Sequence, residues 1–169
     1  MSPRLRPGTP ADLDALVEGN LAMALETEGL HLHPPTLRAG VARALGGGVG
    51  ARYLIAEDPD DGRILGQLML TTEWSDWRDR EVWWIQSVYV WPAARRRGVY
   101  RALAAEAARQ ARAAGAGGLR LYVDRRNTAA QQVYTRLGMV GDHYLTFEQM
   151  FPSPPGDPPA GDPPAGDPR

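Results

Sequence analysis

Val88-Tyr89-Val90-Trp91-Pro92-Ala93-Ala94-Arg95-Arg96-Arg97-Gly98-Val99-Tyr100-Arg101-Ala102-Leu103 is the stretch whose reading decides the fold. An apolar strand runs into a short turn, rich in arginine and holding one glycine. The turn opens an alanine-rich helix. The first amides of a helix have no intrahelical acceptor. The helix dipole adds partial positive charge at the same point, and three guanidinium groups add more. The turn is therefore a seat for a phosphorylated ligand, with a solvated charge run as the bland alternative.

Working outward, Arg4 to Pro7 reads as a short first strand. Thr9-Pro10 opens a helix whose Leu13, Leu16, Val17, Leu21 and Leu25 keep helical spacing on one face. Thr36 to Leu45 reads as a second helix, stopped by Gly46-Gly47-Gly48. Tyr53–Glu57 and Ile64–Thr72 form a hairpin across the turn Asp58-Pro59-Asp60-Asp61-Gly62. A polar segment with Trp74 and Trp77 follows, then a long strand from Val82 to Val90. The helix after the arginine turn runs to about Ala114. Leu119–Val123 alternates as a buried strand. Asn127 caps a helix that ends at Leu137-Gly138, and Tyr144–Met150 reads as a last strand. From Phe151 the repeat Gly-Asp-Pro-Pro-Ala recurs at Gly156, Gly161 and Gly166. Its proline density allows neither helix nor sheet ladder. The sequence thus predicts a domain over 4–150 and a disordered Pro/Gly/Asp-rich tail over 151–169.

Composition narrows the chemistry. The chain has 169 residues, 43% of them hydrophobic, and a formal net charge of -1. That charge gives no overall field to recruit nucleic acid or an anionic membrane. Its basic residues are all arginine, so lysine-based chemistry is excluded. With no cysteine there is no disulfide, no thiolate metal site and no cysteine nucleophile. The histidines lack metal-ligand spacing, so no metal is expected. Nothing reads as a signal peptide or a bilayer-spanning segment, and the cytoplasm is the expected location.

The element order and two motifs resemble the GNAT superfamily of acyl-CoA N-acyltransferases. That family's cofactor motif, Arg/Gln-x-x-Gly-x-Gly/Ala, is matched by Arg95, Arg96, Arg97, Gly98, Val99 and Tyr100, with Tyr100 where Gly or Ala is usual. Its second marker is matched by Asn127, Tyr134, Gly138 and Met139. The resemblance implies an α/β (α+β) fold. Its sheet is mixed, mainly antiparallel and twisted, with six to seven strands and about four helices on both faces. It splays between Val88–Val90 and Leu119–Val123. The resemblance also implies acetyl-CoA as co-substrate and a small-molecule amine as acceptor, and a homodimer is an expectation from the family.

Moving an acetyl group from a thioester to an amine sets four tasks: holding the carrier, polarising the carbonyl, freeing the amine of its proton, and protonating the leaving thiolate. The resemblance gives the first to the amides from Arg97 to Arg101, with Asn127 and the edge Val88, Tyr89 and Val90 along the pantetheine arm. It gives the second to the backbone N–H of Val88 or Tyr89, and the last to Tyr134. The usual acidic position holds Gln86, which accepts no proton. Glu26, Glu28, Glu73 and Asp76 are the candidate carboxylates for the third task. Trp74 and Trp77 are candidate walls for a cationic amine, and one of Trp83 and Trp84 faces the core. Without cysteine, transfer is expected to be direct, in a ternary complex. A non-catalytic acyl-CoA-binding or sensing module is the alternative.

Overall fold

Seven apolar-rich residues, Ala51–Glu57 (β2), turn back on themselves through Asp58. Its amide donates to Arg63 O at 2.8 Å, and its side chain accepts from the amide of Asp60 at 3.1 Å. The chain returns as Ile64–Ser75 (β3), pairs antiparallel with β2, and runs on into Arg80–Val90 (β4). The polar tryptophan segment is thus strand continuation closed by a tight turn, because its backbone finds a ladder partner across the hairpin. Arg4–Pro7 (β1) adds to the outer edge of β2, and Leu119–Arg120 (β5) pairs parallel with β4. The structure is a computed structural model and describes residues 2–151. From residue 152, the proline-rich tail read from the sequence lies outside the described residues.

The sheet order is β1-β2-β3-β4-β5. One face carries Leu54, Leu68, Leu70, Trp83 and Ile85. Against it packs the helix Val99–Ala113 (α3), through Val99, Leu103, Ala107 and Ala111, one residue every four. The other face carries Tyr53 and Ile55 and is covered by Leu13–Glu28 (α1) and Pro34–Gly46 (α2). Thr128–Arg136 (α4) follows β5. Among the described residues no helix is long and apolar enough to cross a membrane.

Four expectations are corrected here. The described sheet has five strands, where six to seven were expected. Tyr144–Met150 forms no ladder, and Tyr144, Leu145 and Phe147 are exposed. Of Leu119–Val123, only Leu119 and Arg120 pair. Alternation sets an extended backbone, but a ladder also needs a neighbouring edge in register. On α1, Leu25 points outward, and Ala24 and Asn20 take the buried stripe with Leu16 and Val17.

The entry to α1 is fixed by charge. Arg6 forks onto Asp12 with contacts of 2.8 and 2.7 Å, and the Thr9 amide donates to the same carboxylate at 2.8 Å. The guanidinium holds the Asp12 carboxyl down to about 2, from an ordinary 3.8. The folded value lies below the unfolded one. The contribution is therefore complete above pH 4 and disappears as pH falls through 2. Asp12→Asn is expected to cost about 2 kcal/mol at neutral pH, with the gap to the parent closing toward pH 2, measured by urea denaturation across pH.

Candidate active site

The site begins with one extra residue in β4. Gln67 faces Tyr89 and Met69 faces Gln86, so Leu68 alone opposes both Ser87 and Val88. This is a β-bulge, with Ser87 in the left-handed region at φ 50. The bulge reverses the parity of the strand. Trp83 and Ile85 face α3, and so do Val88 and Val90, whereas Tyr89 turns to the α1 face. The bulge is backed by a buried polar chain. Gln67 Nε2 donates to Asn20 Oδ1 at 3.0 Å, Asn20 Nδ2 donates to the Tyr53 hydroxyl at 3.0 Å, and that hydroxyl lies beside Ser87.

The second edge of β4 is open over the same residues. Pairing with β5 covers only Trp83 and Trp84. Beyond Trp84 the strands part, leaving the β4 backbone from Ile85 to Val90 without a strand partner on that side among the described residues. An extended arm of amides could add there as a strand does.

The arginine turn closes the far end. Arg96 and Gly98 both have left-handed backbone, at φ 63 and φ 80, a winding that gathers successive amides toward one point. The first bond into α3 is donated by Ala102 to Gly98 O at 3.0 Å. No backbone carbonyl among the described residues accepts from the amides of Arg97 to Arg101. The helix start sits tight on the sheet because position 66 is glycine. A Cβ there would meet Val99 Cγ1 at 2.9 Å.

Glu26 belongs to this turn rather than to an acceptor wall. Its Oε1 accepts from the Tyr89 hydroxyl at 2.8 Å, and its Oε2 pairs with Arg95 at 2.5 Å. Arg95 Nε in turn donates to Val90 O at 2.9 Å. The Tyr89 hydrogen bond and the Arg95 charge hold the Glu26 carboxyl below its ordinary range. One of the four candidate carboxylates read from the sequence, it ties the end of α1 to the turn. Arg97 lines a cleft of about 280 Å³ with Glu18, Arg63 and Trp91, beside the turn and away from the parting of β4 and β5.

At the open side of the sheet, Glu73 accepts from Trp84 Nε1 at 2.6 Å and from Arg120 at 3.0 Å. Gln86 Nε2 donates to Thr71 Oγ1 at 2.7 Å. The Trp84 and Tyr122 rings lie 6.4 Å apart. Burial pushes the Tyr122 hydroxyl up, and the charges of Glu148 and Glu28 push it further. Sequence reasoning missed Tyr122, Arg120 and Glu148; only the pattern of Tyr144–Met150, taken as strand, hinted that the last was placed by structure. Trp83 is buried and Trp84 faces the site. Trp74 pairs in register with Glu81, and Asp76 and Trp77 sit beyond Ser75 and Arg80 at the hairpin tip. Six residues of strand separate that tip from the bulge, roughly 20 Å. Trp77 is 85% exposed, and Asp76 accepts from the Trp77 amide. These three are not brought together with the bulge.

Asn127 caps α4, accepting from the Ala130 amide at 3.0 Å. Tyr134 stands on that helix with its ring edge-to-face on Tyr100, centroids 5.6 Å apart. Burial raises the Tyr134 hydroxyl above the ordinary tyrosine value, so it stays protonated at neutral pH.

The sequence model of the acetyltransferase (GNAT) family matches residues 41–139, and the chain belongs to that family. A solved structure of a possible acetyltransferase from Clostridium difficile 630 is 32% identical, with a TM-score of 0.80 over 89% of this chain and 99% of that one. The fold also resembles an acetyltransferase from Trypanosoma brucei, at 23% identity and TM-score 0.66, over 87% of this chain and 99% of that one. A ribosomal-protein-alanine N-acetyltransferase from Brucella melitensis shares it at 16% identity and TM-score 0.71, over 88% and 99%. No curated protein sequence matches. The protein is thus an acetyltransferase of a family that uses acetyl-CoA as its co-substrate.

Two variants test the geometry. Gly98→Ala, forced to hold φ 80 with a Cβ, is expected to weaken acetyl-CoA binding several-fold by calorimetry. Glu26→Gln is expected to raise the acetyl-CoA Kd about threefold, the effect of one exposed charge contact, and to leave the acidic limb of the pH–rate profile in place. A shift of that limb would mean that Glu26 is a base after all.

Proposed function

We propose that the protein transfers an acetyl group from acetyl-CoA to a primary amine of a small cationic acceptor, directly within a ternary complex. The observation that carries this reading is the coincidence of the Ser87–Val88 bulge with the open edge of β4, between the amide nest and the aromatic, acidic surface around Tyr122.

The residues fit the carrier. Unpaired amides meet its phosphates, with the Glu26 charge neutralised by Arg95. The open β4 edge offers N–H and C=O groups to its amide-bearing arm. Acetyl-CoA supplies, when bound, an acetyl group activated on a thioester sulfur. The Val88 N–H polarises the carbonyl oxygen, a contribution of about 3 kcal/mol for one well-placed donor. Glu28 or Glu148, whose charges act on Tyr122, takes one proton of the incoming ammonium directly or through water, which leaves a lone pair to form the new C–N bond. As the C–S bond breaks, the Tyr134 hydroxyl gives its proton to the sulfur. One proton of the ammonium has gone to a carboxylate; the second leaves nitrogen as the amide forms and returns through water to the Tyr134 oxygen, which gave its own to the sulfur, so atoms and charge balance. Gln86, tied to Thr71, accepts no proton and serves as wall.

The cationic acceptor follows from the same surface. Trp84 and Tyr122 present ring faces, while Glu28 and Glu148 bring negative charge. Gln86 also favours a second reading, an acyl-CoA-binding module without turnover.

Turnover separates the two. Because the chain has no cysteine, thiol release from acetyl-CoA is read without background from the protein. Spermidine, kanamycin and glycinamide are suitable first acceptors. Tyr134→Phe is expected to lower kcat about a hundredfold, the scale of a lost general acid, and to leave the acetyl-CoA Kd within threefold of the parent. Binding without thiol release for every amine would favour the sensing module. Parent-like turnover of Tyr134→Phe would remove the acid assignment.

A further inference from the structure

Tyr100 stands in the first turn of α3, with its amide in the nest and its hydroxyl oxygen shut off from solvent and without a hydrogen-bond partner. Burying an unpaired hydroxyl destabilises a fold, so the position is not explained by what the hydroxyl gains. Its ring does have a partner, the ring of Tyr134, at 5.6 Å between centroids and 65° between planes. That is the edge-to-face geometry aromatic pairs prefer.

The helix carrying Tyr134 needs such a contact. No residue of α4 is fully buried, and Tyr134 is half-buried. Its side-chain hydrogen bonds, among the described residues, all end within its own segment. Gln131 Nε2 donates to Asp124 O at 3.1 Å and to Arg125 O at 2.9 Å, Thr135 donates to Gln131 O, and Arg136 to Gln132. These bonds shape the helix without fixing where it lies against the sheet. The Tyr100–Tyr134 pair does so, because α3 itself is anchored through buried Val99 and Leu103.

We propose that Tyr100 is a positioning residue: its ring braces Tyr134 and so fixes the direction of the phenol that protonates the leaving sulfur. The proposal rests on Tyr134 as the acid. The brace is the ring alone; the hydroxyl, being unpaired, contributes nothing to it. The amide of Tyr100 serves the carrier whatever side chain it bears. The side chain therefore acts on kcat and the backbone on carrier affinity.

The test is a mutant cycle on the full chain, assayed by thiol release with whichever of spermidine, kanamycin and glycinamide turns over fastest, or with water as acceptor if none does. Tyr100→Phe keeps the ring and is expected to hold kcat within twofold. Tyr100→Ala and Tyr100→Leu are expected to lower kcat about tenfold, with the KM for acetyl-CoA within threefold. In a Tyr134→Phe background, Tyr100→Leu is expected to lower kcat no further, since the hydroxyl it would position is gone. Far-UV circular dichroism checks each fold, and Tyr100→Leu, which keeps apolar volume, carries the comparison if Tyr100→Ala does not fold. Additive losses in a slow Tyr134→Phe background, or a loss confined to KM, overturn the role of Tyr100 and leave Tyr134 as the acid. Parent-like turnover of Tyr134→Phe removes the acid and the brace together.

Discussion

The bulge at Ser87–Val88 is the constraint on which the rest of the site depends. One inserted residue does three things at once. It sends Tyr89 to the α1 face, where the Tyr89 hydroxyl finds Glu26. It leaves Val88 and Val90 on the α3 face with the core. It also bends the strand where the pairing with β5 has already ended at Trp84. Without it, strict alternation would put Tyr89 among Trp83 and Ile85, and the contact between α1 and the arginine turn would not exist. The strand accepts the left-handed residue because a buried chain of Gln67, Asn20 and Tyr53 lies beneath it.

Electrostatics in this molecule is mostly used for holding. Arg6 with Asp12 sets the start of α1, and Arg95 with Glu26 sets its end against the turn. Arg120 is occupied by Glu73. The guanidinium groups near the amide nest are thus not all equivalent. Arg95 is spoken for, while Arg96 and Arg97 flank the free amides. The nest itself is made by backbone, through left-handed Arg96 and Gly98 and a helix start set close against Gly66. A phosphate would meet oriented dipoles in place before it arrives, which is what makes a helix N-terminus an anion site.

Much of this was legible in the sequence. The arginine turn, the helices on either side of it, the Asn127 cap and the first four strands all follow from spacing and capping. The strand ends were less legible, since Glu73–Asp79 is polar and yet continues the hairpin. Tyr144–Met150 alternates as a strand does and pairs with nothing among the described residues. Glu26 illustrates the limit for the site. A carboxylate at the end of a helix opposes the dipole, so a partner outside the helix is expected. Its partner, Arg95, lies 69 residues away and could not be named from the helix.

What the sequence by itself determined was whatever rests on neighbours a few residues apart: helix periods, caps, the hairpin turn and the cluster of free amides after Gly98. Only the tertiary structure decided the pairs Tyr89 with Glu26, Tyr100 with Tyr134, and Tyr122 with Trp84. The reason is physical. Local hydrogen bonds are written by residue type and spacing, whereas a contact between distant side chains depends on where the bulge turns a strand and where helices come to rest on the sheet.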